Sequence, residues 1–262
     1  MSSIDIQKHE AIQTQSERAD AFASSYDERL PDNPYQDCFV YSRYRLQTWL
    51  DEFLPARGDG LRLLDVGCGT GHHMAALRQR GFEVAGIDAS KEMLRHARAN
   101  NPDSEIHEAD TEELPFPDHS FDFVLSIEVL RHLPRSAPSV LEMARVLKPG
   151  GISIVTATPL LNLNGYTLIN YLAHRRGIGN LARHKQAFHS SARLRREFED
   201  AGFARPSVHG VYLGPINWVQ RLTPRLLPRF LRAWEHVDRA LADRQMVREL
   251  SNMFIVRGVR NG

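Results

Sequence analysis

The 262-residue sequence predicts an α/β protein, a mostly parallel sheet covered by helices on both faces. Three observations carry that expectation. Short apolar runs alternate with stretches of helical period from Leu61 to Thr156, too regularly for an all-α or all-β chain. The first run passes directly into a turn containing Gly67, Gly69 and Gly71. Apolar residues make up 42% and charged residues 25%, which suits one good-sized core with a cap.

The elements follow in order. Residues 1–57 read as an N-terminal helical lid: a polar, helix-compatible stretch from Ile4 to Ala23, a loop at Leu30-Pro-Asp-Asn-Pro34, then a helix over 38–54. In that helix Phe39, Leu46, Trp49, Leu50, Phe53 and Leu54 share one face, and Pro55 and Gly58 end it. Residues 61–158 read as a cofactor-binding core. Leu61, Leu63, Leu64 and Val66 form a buried strand, and His72 to Arg80 the helix it feeds. Phe82 to Asp88 is a second strand ending in an acid, and Ser90 caps a helix through Ala99 with Met93, Leu94 and Ala97 inward. Ser104–Glu108 and Phe121–Ser126 are the third and fourth strands. A helix from Ser139 to Leu147 stops at Lys148-Pro-Gly-Gly151, and Ile152–Thr156 is the fifth strand. Beyond Pro159 the rhythm breaks into cap insertions at 159–192 and 213–249 within the same single domain. A helix around Leu194, Phe198 and Ala201 and a strand from Ser207 to Leu213 lie between them. Residues 216–245 look helical but cut by Pro224 and Pro228, and Asn252–Val259 is a last strand.

The glycine turn selects a cofactor class. A strand that ends in such a turn aims the free N–H groups of the next helix at a ligand beyond the strand's carboxyl end. Dinucleotide sites want G-x-G-x-x-G; here His72 stands at the third glycine's place and Gly71 comes one residue early. Asp65, just before the glycines, would repel a pyrophosphate but suits a positively charged ligand. S-adenosylmethionine, with its ammonium and sulfonium, is such a ligand.

The run Leu63-Leu-Asp-Val-Gly-Cys-Gly-Thr-Gly71 resembles the first motif of the class I S-adenosylmethionine-dependent methyltransferases. Four later blocks are similar to that family in the same order: Val84-Ala-Gly-Ile-Asp88, Glu108-Ala-Asp-Thr111, Leu114–Leu130, and Leu147-Lys-Pro-Gly-Gly151. The resemblance covers residues 61–158 well and 191–213 more loosely, and is nearest to the small-molecule and quinone-type enzymes. It implies a Rossmann-like seven-stranded sheet whose last strand, here Asn252–Val259, runs antiparallel. It also implies roles. Gly67, Gly69 and Gly71 approach the methionine part, Asp65 orients its ammonium, Asp88 takes the ribose with Ala89 beside it, and Asp110 takes the adenine amine, with Thr111 next to it either a further cofactor contact or a loop neighbour. Met93 flanks the adenine or is plain core, and Ser126 and Ile127 line the transfer site.

His132, after the fourth strand, has two readings: a general base for an acceptor hydroxyl, or a space-filler beside the cofactor. Arg131 stands where the family often has a second histidine. Tyr26, Tyr35 and Tyr41 are candidates for a tyrosine closing over the cofactor. His184, Lys185 and His189 lie in an insertion with no acidic residue, and either hold an anionic acceptor or form a solvated loop.

Charge is divided unevenly. Residues 1–158 sum to −9 and residues 159–262 to +10, so the C-terminal part either meets something anionic or attracts the rest of the globule. Arg221, Arg225, Arg229 and Arg232 among leucines make 216–234 either a lid or a segment for peripheral membrane contact. Cys38 and Cys68 lack metal-ligand spacing, so no metal site is expected despite 12 histidines. A polar N-terminus and the lack of a long apolar run lead us to expect a cytoplasmic protein.

These features point to an S-adenosylmethionine-dependent methyltransferase. The expected acceptor atom is an oxygen, less readily a nitrogen or carbon, of a small-molecule or lipid-linked, anionic acceptor. The alternatives are an RNA methyltransferase, disfavoured because the Asn-Pro-Pro-Tyr and paired-cysteine patterns are missing, and a catalytically inactive cofactor-binding module.

Overall fold

The structure is a computed structural model and is described over residues 33–164 and 187–262. The expected helix at 4–23, Tyr26, His184 and Lys185 lie outside the described residues.

Helix α1 spans Cys38–Phe53, its first turn capped by Asp37, whose carboxylate accepts from the Val40 N–H at 2.8 Å. Then come β1 (Arg62–Val66), α2 (His72–Gln79), β2 (Glu83–Asp88), α3 (Lys91–Asn100), β3 (Glu105–Glu108) and β4 (Phe121–Ser126). A single 3-10 turn, Leu130–His132, precedes α4 (Ala137–Val146) and β5 (Leu147–Ala157). Helix α5 (Ser191–Asp200) and β6 (Phe203–Tyr212) follow, then α6 (Ile216–Leu222), α7 (Leu227–Leu241) and β7 (Met253–Arg260).

The seven strands form one sheet in the order β3-β2-β1-β4-β5-β7-β6. β7 pairs antiparallel with both β5 and β6, so the other six strands all point the same way. The order reverses between β1 and β4, and crevices at such a reversal, beyond the strands' carboxyl ends, are where open α/β sheets bind ligands.

Period-two alternation splits the core into two layers. Leu63, Val84 and Leu125 face a layer with Leu46 and Leu50 of α1, Met74 of α2 and Leu94 of α3. Leu64, Val66, Ile87 and Val124 face the other, with Val140 and Met143 of α4 and Leu194 and Phe198 of α5. A smaller cluster of Tyr41, Ile216, Leu227 and Leu231 joins α1 to the cap.

Four sequence expectations change. Phe39 is exposed rather than on the inner face of α1; Val40, Tyr41 and Arg45 take that side instead, because the helix packs on the cap as well as the sheet. β5 starts at Leu147, so Pro149 and the two glycines lie inside the strand, beside a register shift against β4. β6 begins at Phe203, four residues before the expected start. Pro228 does not cut α7: it sits in the first turn, where its missing N–H would have had no intrahelical partner.

Candidate active site

The turn after β1 is a tight cradle. The N–H groups of Gly67 and Cys68 both donate to the Ile87 carbonyl of β2 at 2.8 Å, which folds the chain across the neighbouring strand. Gly67 has φ +78°, and a Cβ there would lie 2.3 Å from Val129 Cγ2 on the segment after β4. Only glycine allows that approach. Gly69 also lies in the left-handed region, φ +53°, but a Cβ there would meet no atom within 4 Å. Its bare face borders open space, with the first turn of α2 immediately behind it. Gly71 packs against Asn101, whose side-chain amide donates to its carbonyl at 3.0 Å.

Two carboxylates meet under this turn. Asp65 is 1% exposed, and its Oδ2 has no hydrogen-bond partner among the described residues. Burial first, and the charge of nearby Asp88 second, push its carboxyl up to about 7. Asp88, at the end of β2, accepts from the N–H of Gly69 on Oδ2 and from that of Ser90 on Oδ1, both at 2.9 Å. Burial still holds its carboxyl above the ordinary range despite these donors, which act in the opposite direction. A buried, unpartnered anion is held only at a high desolvation penalty. This site therefore suits a ligand with a cationic group at Asp65 and hydroxyl donors at Asp88. The residues fit S-adenosylmethionine.

The remaining expected residues divide. Met93 is buried on α3 and belongs to neither large core cluster, and Ala89 lies half-buried next to Asp88. Asp110, half-buried after β3, accepts from the Glu112 N–H at 2.9 Å and so fixes its own loop. Ile127 is half-buried against the inner layer. The hydroxyls of Thr111 and Ser126 are engaged elsewhere: Thr111 pairs with Ser139 of α4 at 2.7 Å, and Ser126 donates to the Val66 carbonyl at 3.1 Å. Their side chains thus link loop to helix and strand to strand.

His189 differs from expectation. It is 2% exposed, bridged to Pro159, with Nε2 3.3 Å from the Ser136 hydroxyl. Burial drives its imidazole down to about 4, so it is neutral near pH 7 and does not attract an anion by charge. Tyr35 and Tyr41 do not hang free as lid tyrosines: Tyr35 donates to Glu235, and Tyr41 to Asp238 at 2.5 Å, both on α7.

The opposite rim of the crevice carries groups that the sequence did not reveal. Glu128, two residues past β4, has φ +62°, a conformation rare for a side chain of its size. Thr156 Oγ1 accepts its N–H at 2.7 Å and Arg131 pairs with its carboxylate, so the strain is held from two sides. His132 sits in the 3-10 turn just beyond, its N–H donating to the Val129 carbonyl. Tyr212 closes β6 at the same edge, and the charges of Glu128 and Arg131 both act on its hydroxyl. That hydroxyl has no hydrogen-bond partner among the described residues, and burial raises its pKa. An aromatic at a strand's carboxyl end was the only signal for Tyr212; the backbone of Glu128 left none.

A single-sheet α/β fold with an open glycine cradle, a buried acid and a half-buried acid beside it defines a protein that binds a nucleoside-bearing cation at its sheet switch point. Comparison with known proteins narrows this. A methyltransferase domain model matches residues 64–155. The chain is 33% identical to a ubiquinone biosynthesis O-methyltransferase of Alkalilimnicola ehrlichii over 68% of this chain and 74% of that one. It is 33% identical to a fatty-acid O-methyltransferase of Mycolicibacterium smegmatis over 47% of this chain and 46% of the other. It is 42% identical to a biotin biosynthesis bifunctional protein of Cellvibrio japonicus, where the match spans 40% of this chain and only 21% of the relative. Among solved structures, an S-adenosylmethionine-dependent methyltransferase of Mesorhizobium loti superposes with a TM-score of 0.58, at 22% identity, over 82% of this chain and 98% of that one. A phosphoethanolamine N-methyltransferase of Haemonchus contortus, solved with S-adenosylmethionine, gives 0.58 at 20% identity over 84% and 53%. The chain belongs to the class I S-adenosylmethionine-dependent methyltransferases, a family of enzymes whose methyl donor is S-adenosylmethionine.

Proposed function

We propose that this chain transfers the methyl group of S-adenosylmethionine to an oxygen of a small-molecule or lipid-linked acceptor that carries negative charge. The single observation that supports it most is the pair of acids beneath the open glycine turn, Asp65 buried with its Oδ2 unpartnered among the described residues and Asp88 half-buried beside it. When bound, the cofactor supplies an electrophilic methyl group on its sulfonium. The chain supplies the rest. Asp65 receives the ammonium, Asp88 and the Ala89 backbone receive the ribose hydroxyls, and Asp110 with the Met93 side chain borders the adenine. The positive N-terminal end of α2 favours the methionine carboxylate, while the N–H groups of Gly67, Cys68, Gly69 and Gly71 hold the turn itself.

Methyl transfer from a sulfonium needs an in-line acceptor above all, so the chain's main task on the acceptor side is positioning. Glu128, Arg131 and Tyr212 form the rim where that acceptor enters. His132, in the turn between them and α4, is the group we assign to take the hydroxyl proton. The oxygen reading rests on relatives named as O-methyltransferases, of ubiquinone biosynthesis and of fatty acids. Isothermal titration with S-adenosylmethionine, followed by methyl transfer to a panel of phenolic and carboxylic acceptors, tests it. Asp88→Ala is expected to weaken cofactor binding at least tenfold, and His132→Ala to remove an ionisation from the pH–rate profile. Unchanged cofactor affinity in Asp88→Ala would sink the cofactor assignment. Transfer only to RNA would sink the acceptor class.

A further inference from the structure

Between Leu213 and Trp234 the chain has four arginines and no acidic residue. Its apolar side chains there divide cleanly. Ile216, Leu227 and Leu231 are buried against Tyr41 and satisfy the packing of the cap on the body. Trp218, Leu222 and Leu226 point the other way and stay exposed, Leu222 at 74% and Leu226 at 54%. Arg221, Arg225 and Arg229 lie among them, also exposed, and none has a carboxylate partner among the described residues. A lid that only covers the sheet has no use for this outer face.

A second segment extends the face. Leu160, Leu161 and Leu163, just past β5, are each more than a third exposed. The side chain of Asn164 accepts the N–H of Asn217 at 3.1 Å, which ties this segment to the start of α6. β5 and β6 run parallel to β1, so both segments leave the sheet at the edge where the glycine turn lies. The exposed leucines, Trp218 and the three arginines thus stand on the same edge of the sheet as the cofactor crevice.

We infer that this edge docks on an anionic lipid bilayer, with Trp218, Leu222 and Leu226 entering the interface and Arg221, Arg225 and Arg229 meeting lipid phosphates. Apolar burial plus attraction to anionic headgroups is what holds a surface-lying segment, and tryptophan favours the headgroup level. No helix among the described residues is long and apolar enough to cross a membrane, so the contact lies on the surface. A polyanion such as RNA would match the arginines but give no return on three exposed apolar side chains. The docked edge would place the crevice mouth against the membrane, where a lipid-linked acceptor enters without crossing water.

The test is co-sedimentation of the full chain with vesicles of phosphatidylcholine alone and of phosphatidylcholine mixed with phosphatidylglycerol, at low and physiological salt. Binding to the mixed vesicles, weakened by salt, is expected, along with a blue shift of tryptophan emission that Trp218→Phe removes. Each exposed arginine near such a surface contributes about fivefold, so the triple variant Arg221→Glu, Arg225→Glu, Arg229→Glu should lose roughly a hundredfold in affinity. Trp218→Ser with Leu222→Ser should lose binding while the arginines remain. All five positions are exposed, and thermal unfolding checks that the variants fold. Equal binding by wild type and triple variant, no binding to anionic vesicles, or displacement from vesicles by bulk RNA at equal phosphate would each overturn the inference. S-adenosylmethionine titration of the same preparations separates this from the methyl-transfer proposal: retained cofactor binding without vesicle binding sinks only the docking surface.

Discussion

Asp65→Asn is expected to make the cofactor-free protein more stable above neutral pH while it weakens cofactor binding. The ordinary aspartate value is 3.8, and burial beside Asp88 lifts that of Asp65 to about 7. At about 1.4 kcal/mol per tenfold, holding this group ionised in the folded chain costs ~4 kcal/mol. Between those two pH values the folded state binds a proton that the unfolded state has released, so stability falls as pH rises across the window. Below pH 4 both states are protonated and the cost is absent; above pH 7 it is complete. Asparagine keeps the shape and removes the charge, but leaves an amide buried without partners, a penalty of ~1–3 kcal/mol. The net expectation is ~1–3 kcal/mol of added stability at pH 8, shrinking to near zero at pH 5, where about a third of the cost remains, and reversing in sign only below about pH 4. Binding should move in the opposite direction: loss of a charge-assisted hydrogen bond worth ~1.5–3 kcal/mol weakens S-adenosylmethionine by roughly ten- to a hundredfold. Urea unfolding at pH 5 and pH 8, paired with calorimetric titration of the cofactor, reads both effects. An Asp65→Asn protein that is less stable at pH 8, or that binds the cofactor as tightly as wild type, would refute the argument that Asp65 is a strained anion awaiting a cation.

Two further outcomes are expected. Glu128 lies in the left-handed region, so Glu128→Gly should be ~1 kcal/mol more stable than Glu128→Ala, both having lost the Arg131 pair; chemical unfolding of the two variants checks it. Asp238 is fully buried, paired with Arg45, and accepts from Tyr41 at 2.5 Å and from the Leu213 N–H at 2.6 Å. Asp238→Ala leaves the Arg45 charge stranded and should destabilise by ~3–5 kcal/mol, whereas the double change Arg45→Met, Asp238→Leu should recover part of that, read from unfolding midpoints.

The glycine turn and the strand-end acid of the candidate cofactor site were legible in the sequence because their requirements are local. Gly67 must admit Val129, Gly69 must stay bare, and Asp88 must end a strand; each need is met by a residue type at a fixed spacing from β1. The same holds for the strand-helix alternation, which pointed to the parallel sheet, whereas the antiparallel last strand came only from the family resemblance. The side-chain partners of Thr111, Ser126 and His189 were not legible. Serine and threonine hydroxyls beside a crevice look alike whether they face a ligand or, as here, Ser139 and the Val66 carbonyl. His189 carried a basic neighbourhood in sequence, yet its bridge to Pro159 takes it out of water, and burial outweighs the charge pattern.

The acceptor side was hidden for a different reason: it is assembled from segments far apart in the chain. Tyr35, Tyr41 and Tyr44 on or beside α1 converge on Glu235 and Asp238 of α7, nearly 200 residues away, and no periodicity links the two. The consequence is functional as well as structural. Arg45, buried and paired with Asp238, locks the N-terminal helix to the cap, and the same helix lies in the layer behind β1. The cap is therefore not a loose flap over the crevice but is bolted to the body through charged groups that water cannot reach. Anything that draws the outer face of α6 toward a surface draws against that lock, so cap and cofactor site are expected to move as one piece. On the proposed function, acceptor choice is then expected to depend on the rim of Glu128, Arg131 and Tyr212 and on the surface the rim is pressed against, rather than on a closing motion of the cap.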